Sequence, residues 1–241
     1  PSGSSQADML RPLRLPTILV GSSVLGGISS TRASFESLRM RGYDIDVVLM
    51  FTSPYYGNDT YLAQYFVEHG IPLFTIEKPP ARVADTPTDV ARMQTYYQHT
   101  LTTMAEVVQY LADQHVRRYA SLDTLGVRAH QHMWWPFTQH TRVAPQDVTI
   151  VDSAHSDFFE AHAPGQGTSP MMDGSASWWT QAVGHGHPRL ALAAAYAAGR
   201  YGHVLSPSVA HEPAVRLAER LLGHDSSATL APGRGWASRA F

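Results

Sequence analysis

Leu15-Pro16-Thr17-Ile18-Leu19-Val20-Gly21-Ser22-Ser23-Val24-Leu25-Gly26-Gly27-Ile28-Ser29 is the stretch on which the reading of the fold turns. Residues 15–20 are apolar and β-branched, residues 21–27 are rich in glycine, and over 29–40 apolar and polar residues recur at helical spacing. That order predicts strand, glycine turn, helix. Two further apolar runs, 47–51 and 71–76, flank a candidate helix over 59–68. Runs that are apolar throughout, without alternation, suit strands covered on both faces, so residues 15–76 predict a parallel βαβαβ unit of the α/β class.

Composition narrows the chemistry. The 241 residues are 44% hydrophobic and 16% charged, enough for one large core or two modest ones, and the net charge is -2. Without clustered Lys and Arg there is no polyanion-binding surface, so nucleic acid is not an expected partner. No apolar run reaches the ~18 residues of a membrane span. The absence of Cys removes disulfides, thiolate metal sites and Cys nucleophiles, and leaves the compartment open. Of the 18 basic residues only Lys78 is a lysine, and it sits in Glu77-Lys78-Pro79 with no glycine near it. A Walker A loop needs a lysine after glycine, and a pyridoxal phosphate enzyme needs one for its Schiff base. The chain begins with Pro1, carries no targeting pattern at its start, and is expected to be a piece of something longer.

Beyond the proline-rich residues 78–87, Val90, Met93, Tyr97, Leu101, Met104, Val108 and Leu111 recur at spacings of three and four, predicting a long amphipathic helix over 88–114. It is expected to begin a helical connector, 88–132, between a first domain, 1–87, and a second, 133–241. In the second, β-rich segments are expected over 148–151 and 157–159, a Gly/Pro/Ser-rich loop over 161–170, an aromatic turn at Ser177-Trp178-Trp179, and helices over 188–200 and 211–222. Pro188 suits a first helical turn.

Glycines just ahead of a helix let a backbone approach something closely, and the helix N-terminus there can hold an anion, a phosphate or a carboxylate. A tight structural turn accounts for the same glycines equally well. Arg11-Pro12-Leu13-Arg14-Leu15-Pro16 leading into Val20-Gly21 and Leu25-Gly26-Gly27-Ile28-Ser29, with Glu36-Ser37-Leu38 and Arg41-Gly42-Tyr43-Asp44, resembles the late strand and loop of dethiobiotin synthetases. The resemblance implies the C-terminal part of a P-loop-type parallel-sheet domain that uses ATP and Mg²⁺. It also implies that Leu25, Gly26, Gly27 and Ser29 bind the carboxylate end of diaminopelargonate across a dimer interface. The family's P-loop is not found in these residues, and Phe51-Thr52-Ser53-Pro54 stands where an adenine-contacting Asn is expected. Nucleotide contacts near Pro79 and Pro80 are a further carry-over.

Trp134-Trp135-Pro136-Phe137-Thr138-Gln139-His140, Asp173-Gly174-Ser175-Ala176-Ser177-Trp178-Trp179 and Gly202-His203-Val204 are similar to the N-terminal segment of diaminopelargonate aminotransferases. This implies the beginning of a fold-type I, pyridoxal phosphate (PLP) aminotransferase. Phe137 corresponds to an aromatic position that closes the substrate pocket, and Trp178 to one that packs against substrate beside the cofactor. Aromatics suit that task as a rigid apolar wall for a long aliphatic chain. Core residues are the lesser reading of both Trp pairs without the resemblance. Ser206-Pro207-Ser208-Val209 stands where the family has a loop reaching the neighbouring subunit's cofactor site. The family's phosphate-cupping turn, its Asp under the pyridine nitrogen and its Schiff-base Lys are not among these residues, so no catalytic residue is expected here.

Together these resemblances imply a eukaryotic bifunctional enzyme of biotin synthesis. One half would transfer an amino group from S-adenosylmethionine to 8-amino-7-oxononanoate, and the other would close the diamine to dethiobiotin with ATP, Mg²⁺ and CO₂. The family further implies a homodimer and mitochondrial residence. A non-catalytic binding or dimerisation module is the alternative. The weakest reading is a metal site built on the 13 His, with His130-Gln131-His132 and His185-Gly186-His187 as nearest pairs.

Overall fold

The computed structural model describes residues 5–204 and 208–240, which divide into two compact units, 1–192 and 193–241. In the first unit, a short helix α1 (Gln6–Leu10) precedes the expected βαβαβ run: β1 (Thr17–Gly21), α2 (Gly27–Arg39), β2 (Ile45–Phe51), α3 (Asn58–Val67) and β3 (Leu73–Ile76). The three strands are parallel in the order β1-β2-β3. Successive strand side chains point to opposite faces, and both faces of β2 are covered. Val48 and Met50 join Leu19, Phe35, Leu62, Phe66 and Ile71 in one core beneath α2 and α3. Val47 is also fully buried and turns to the other face, where α4 (Thr86–His132) packs on β2 and β3. The unbroken apolar run of β2 thus has the cause inferred for it.

Helix α4 runs past the apolar spacing of 88–114 to His132, the end of the helical connector expected over 88–132. Asp85 caps it by accepting the Thr88 N–H at 3.1 Å, and Pro87 sits in the first turn where its missing N–H costs nothing. The extension has a tertiary cause. Leu122, Gly126 and Ala129 are buried at spacings of four and three, and a side chain at Gly126 would stand 2.6 Å from the Pro145 carbonyl. Glycine weakens a helix by itself, but here it admits a neighbouring segment that a larger residue would exclude. The expected stripe also needs correction, because Val90, Tyr97, Leu101 and Val108 are exposed and Val107 is the residue fully buried. Val107 and Leu122 are covered where the helix crosses the sheet and meets the segment after it, whereas among the described residues Val90, Tyr97, Leu101 and Val108 remain exposed.

Beyond α4, β4 (Ile150–His155), β5 (Phe158–Ala163) and β6 (Gly167–Met172) form an antiparallel meander. The loop expected over 161–170 is therefore a hairpin, with only residues 164–166 in the turn. Its glycines misled the reading. Gly165 and Gly167 adopt φ of 72° and 86° at the turn, while Pro170 is tolerated because β6 is the edge strand and needs no N–H on its outer side. Asp152 on β4 ties the meander to the rest of the unit through Arg118 of α4 and, at 3.4 Å, Arg14 ahead of β1. A short left-handed turn, α5 (Ala176–Trp179), follows.

The boundary between units falls within α6 (Pro188–Tyr201), which starts at Pro188 as expected. In the second unit α7 (Glu212–Leu222) ends on Gly223 in a left-handed conformation, and Arg220 pairs with Asp225 at 2.7 Å. Ser206 and Pro207 of the implied cofactor-reaching loop lie outside the described residues. Among the described residues no helix is long and apolar enough to cross a membrane.

Candidate functional site

The glycine loop lies at the carboxyl end of β1. Gly26 takes φ 79°, and α2 begins at Gly27, whose N–H reaches the Val24 carbonyl at 2.9 Å. A side chain at Gly27 would stand 2.0 Å from the Ser22 carbonyl oxygen and 2.6 Å from Asn58 Nδ2. The close approach that demanded a glycine is therefore met by the loop's own backbone. Leu25 is 81% exposed at the apex, and Ser29 lies in the first turn of α2, where backbone N–H groups have no intrahelical acceptors.

Asn58 is the residue the sequence reading missed. It opens α3, is buried, and donates from Nδ2 to the carbonyls of Ser22 at 3.1 Å and Val24 at 2.9 Å, pinning both sides of the loop. Thr31 Oγ1 accepts the Ser22 N–H at 3.0 Å. The only sequence signal for Asn58 is an amide residue at a helix start, which reads as an ordinary cap until the fold brings the loop beside it. Pro79 lies exposed after β3 beside Lys78, which is also exposed, and Pro80 is half-buried.

A second cluster surrounds the aromatic turn. Phe137 and Trp178, 41 positions apart, stand with ring centroids 5.5 Å apart and planes at 80°, an edge-to-face pair. They are 90% and 62% exposed, so they form an open aromatic wall and are not core residues. Phe137 takes φ 56°, in a bend where the Trp135 N–H donates to His140 Nε2 at 3.1 Å. On the Trp178 side, Ala176, Ser177, Trp178 and Trp179 all have φ between 46° and 67°. Left-handed backbone costs an L-residue roughly 1–2 kcal/mol at each position, so this run needs compensation.

Asp173 stands beneath it. Its carboxylate, nearly buried, accepts hydrogen bonds from Ser175 Oγ at 3.0 Å, Ser177 Oγ at 2.8 Å and His185 Nε2 at 2.8 Å. Burial pushes this carboxyl up, but the bonds from His185, Ser177 and Ser175 outweigh it and hold its pKa down at about 2. A carboxyl whose folded pKa lies below its ordinary 3.8 stabilises the fold above that pH, and the contribution is lost as pH falls through about 2. Denaturation of the native chain and of Asp173→Asn across this range is expected to show a stability difference that is constant above pH about 4 and shrinks towards pH about 2. A difference independent of pH would mean that the charge of Asp173 is not what holds the turn.

Some of the histidines serve as hydrogen-bond partners of carboxylates. His185 binds Asp173, and the buried His162 of β5 meets Asp123 of α4 at 2.7 Å. Among the described residues no group of three His, Cys, Asp or Glu side chains is placed to hold a metal ion.

By fold and sites, the first unit defines a two-part α/β protein: a parallel sheet with a pinned glycine loop, and a β-meander carrying an aromatic wall. No family model matches the chain. A protein of Emericella nidulans named bifunctional dethiobiotin synthetase/adenosylmethionine-8-amino-7-oxononanoate aminotransferase is 46% identical over 236 residues, 92% of this chain and 30% of that protein. A protein of Oryza sativa subsp. japonica named bifunctional dethiobiotin synthetase/7,8-diamino-pelargonic acid aminotransferase, mitochondrial, is 37% identical over 243 residues, 100% of this chain and 28% of that protein. A Synechococcus elongatus protein named adenosylmethionine-8-amino-7-oxononanoate aminotransferase is 33% identical over 93 residues, 39% of this chain and 20% of that protein. Over nearly its whole length the chain is similar to bifunctional dethiobiotin synthetase/diaminopelargonate aminotransferases, and it spans 28 to 30% of the length of the bifunctional relatives named here.

Proposed function

We propose that this chain is the junction of a bifunctional biotin-synthesis enzyme. Residues 1–87 would be the end of the P-loop-type synthetase domain, 88–132 the connector, and 133–241 the beginning of the fold-type I aminotransferase domain. The whole enzyme transfers an amino group from S-adenosylmethionine to 8-amino-7-oxononanoate with PLP, and closes the resulting diamine to dethiobiotin with ATP, Mg²⁺ and CO₂. It acts as a homodimer, and the mitochondrial names of its plant relatives favour that compartment. The observation that carries the reading is the 46% identity to a bifunctional relative across 92% of the chain.

The division of labour follows from the side chains present. Lys78, the chain's sole lysine, is exposed after β3 with no glycine loop beside it, which suits neither a Schiff base nor a phosphate-binding lysine. The residues here do not fit PLP or ATP as anchors. Their part is substrate binding. Phe137 and Trp178 supply a rigid wall for an aliphatic chain, while Leu25, Gly26 and Ser29 offer a carboxylate the start of α2, and Gly27, whose own N–H is taken by the Val24 carbonyl, shapes the loop that presents it. The chain by itself is expected to be inactive.

Both activities and the absorbance of bound cofactor are to be measured on this chain and on a version extended to the full span of its bifunctional relatives. Activity confined to the extended form supports the reading. A well-folded extended form without either activity would sink it and leave a binding or dimerisation module, the reading favoured by the uncovered apolar face of α4.

A further inference from the structure

We propose that Asp173 is a positioning residue for the amino-acceptor pocket, holding the turn at 176–179 in the shape that sets the Trp178 ring edge-on to Phe137. The inference rests on the aminotransferase reading above. Among the described residues Trp178 makes no side-chain hydrogen bond, so the backbone under it decides where its ring lies. That backbone is left-handed at four consecutive L-residues, a conformation that does not persist without outside support.

The support comes from a peg fixed on both sides. The Asp173 N–H donates to the Asp157 carbonyl at 2.8 Å, which ties the residue to the connection between β4 and β5. His185, whose Nε2 meets the Asp173 carboxylate at 2.8 Å, is itself paired with Ser156 in both directions, N–H to carbonyl at 2.7 and 3.2 Å. An ionised carboxylate only accepts, so this contact also places the His185 proton on Nε2. Ser175 and Ser177 then wrap the turn around the carboxylate from the other side. The three contacts to the carboxylate itself are charge-assisted, the kind of bond that fixes geometry. The Ala176 N–H also closes onto the Asp173 carbonyl at 3.1 Å.

The test uses the full-length bifunctional protein with Asp173→Ala, Asp173→Asn and Ser177→Ala. It reads kcat and KM for 8-amino-7-oxononanoate, together with the emission of Trp178 isolated by difference against Trp178→Phe. Asp173→Ala is expected to raise KM about tenfold, equivalent to loss of one strong contact, with a much smaller change in kcat. Its Trp178 emission should move towards that of a solvated indole. Asp173→Asn, which keeps one carbonyl oxygen, and Ser177→Ala should shift both readouts in the same direction by less, and they carry the test if Asp173→Ala does not fold. Unchanged Trp178 emission, whether or not activity falls, overturns the proposal. Absence of aminotransferase activity in the unsubstituted protein would count against the functional reading, while the emission would still decide the role of Asp173.

Discussion

Gly27→Ala is expected to destabilise the chain by at least about 3 kcal/mol and to abolish any ligand binding at the head of α2. The new methyl group would lie 2.0 Å from the Ser22 carbonyl oxygen and 2.6 Å from Asn58 Nδ2, far inside contact distance. Neither neighbour yields easily. Ser22 is backbone, continuous with β1, and its carbonyl is half of the Asn58 pin. Relief would require the loop to lift from α3, leaving the buried Asn58 amide without its acceptors, and an unsatisfied buried donor costs about 1–3 kcal/mol more. Gly26→Ala is the control. Its added carbon meets nothing within 4 Å, so only the strain of φ 79° remains, roughly 1–2 kcal/mol. Urea denaturation of both variants measures the contrast, and equal losses would show that the close approach at Gly27 does not exist.

Phe66→Ala should be as damaging, at about 3–5 kcal/mol, by a different mechanism. Phe66 is fully buried at the end of α3 and meets Phe35 of α2 edge-on, with centroids 5.2 Å apart and planes at 88°. It shares a core with Met50 and Leu62, so its removal empties space between both helices and the central strand. Helices of 13 and 10 residues are too short to be stable by themselves, and this packing holds them on the sheet. A fall in the urea midpoint at unchanged slope is the expected signature. A loss below ~1 kcal/mol would mean that the site collapses around the cavity.

The two variants probe features of unequal legibility. The core containing Phe66 could be anticipated, because apolar runs at 47–51 and 71–76 and helical spacing between them already specify a covered parallel sheet. The reason for Gly27 could not. The sequence placed a glycine where something must come close, yet whether a ligand or the protein itself approaches depends on Asn58, 31 positions away. The β5–β6 hairpin was hidden for a related reason. Gly, Pro and Ser are loop formers in isolation, and only pairing with β5 on one side lets Pro170 stand in a strand.

The sequence by itself determined the local order of elements: the βαβαβ run, the existence of α4, the starts of α6 and α7, and the kinship of the Trp-containing motifs. These rest on hydrophobic period and on residue types that act over a few positions, where the chain's neighbours in sequence are also its neighbours in space. The tertiary structure decided what long-range contact controls. It set Gly126 of α4 against Pro145, and it brought Phe137 to Trp178. It also made Asp173, which reads in sequence as one acidic residue ahead of a glycine, the peg beneath a left-handed turn. Each of these depends on partners that only folding brings together, and pairings of that kind leave no period in the sequence.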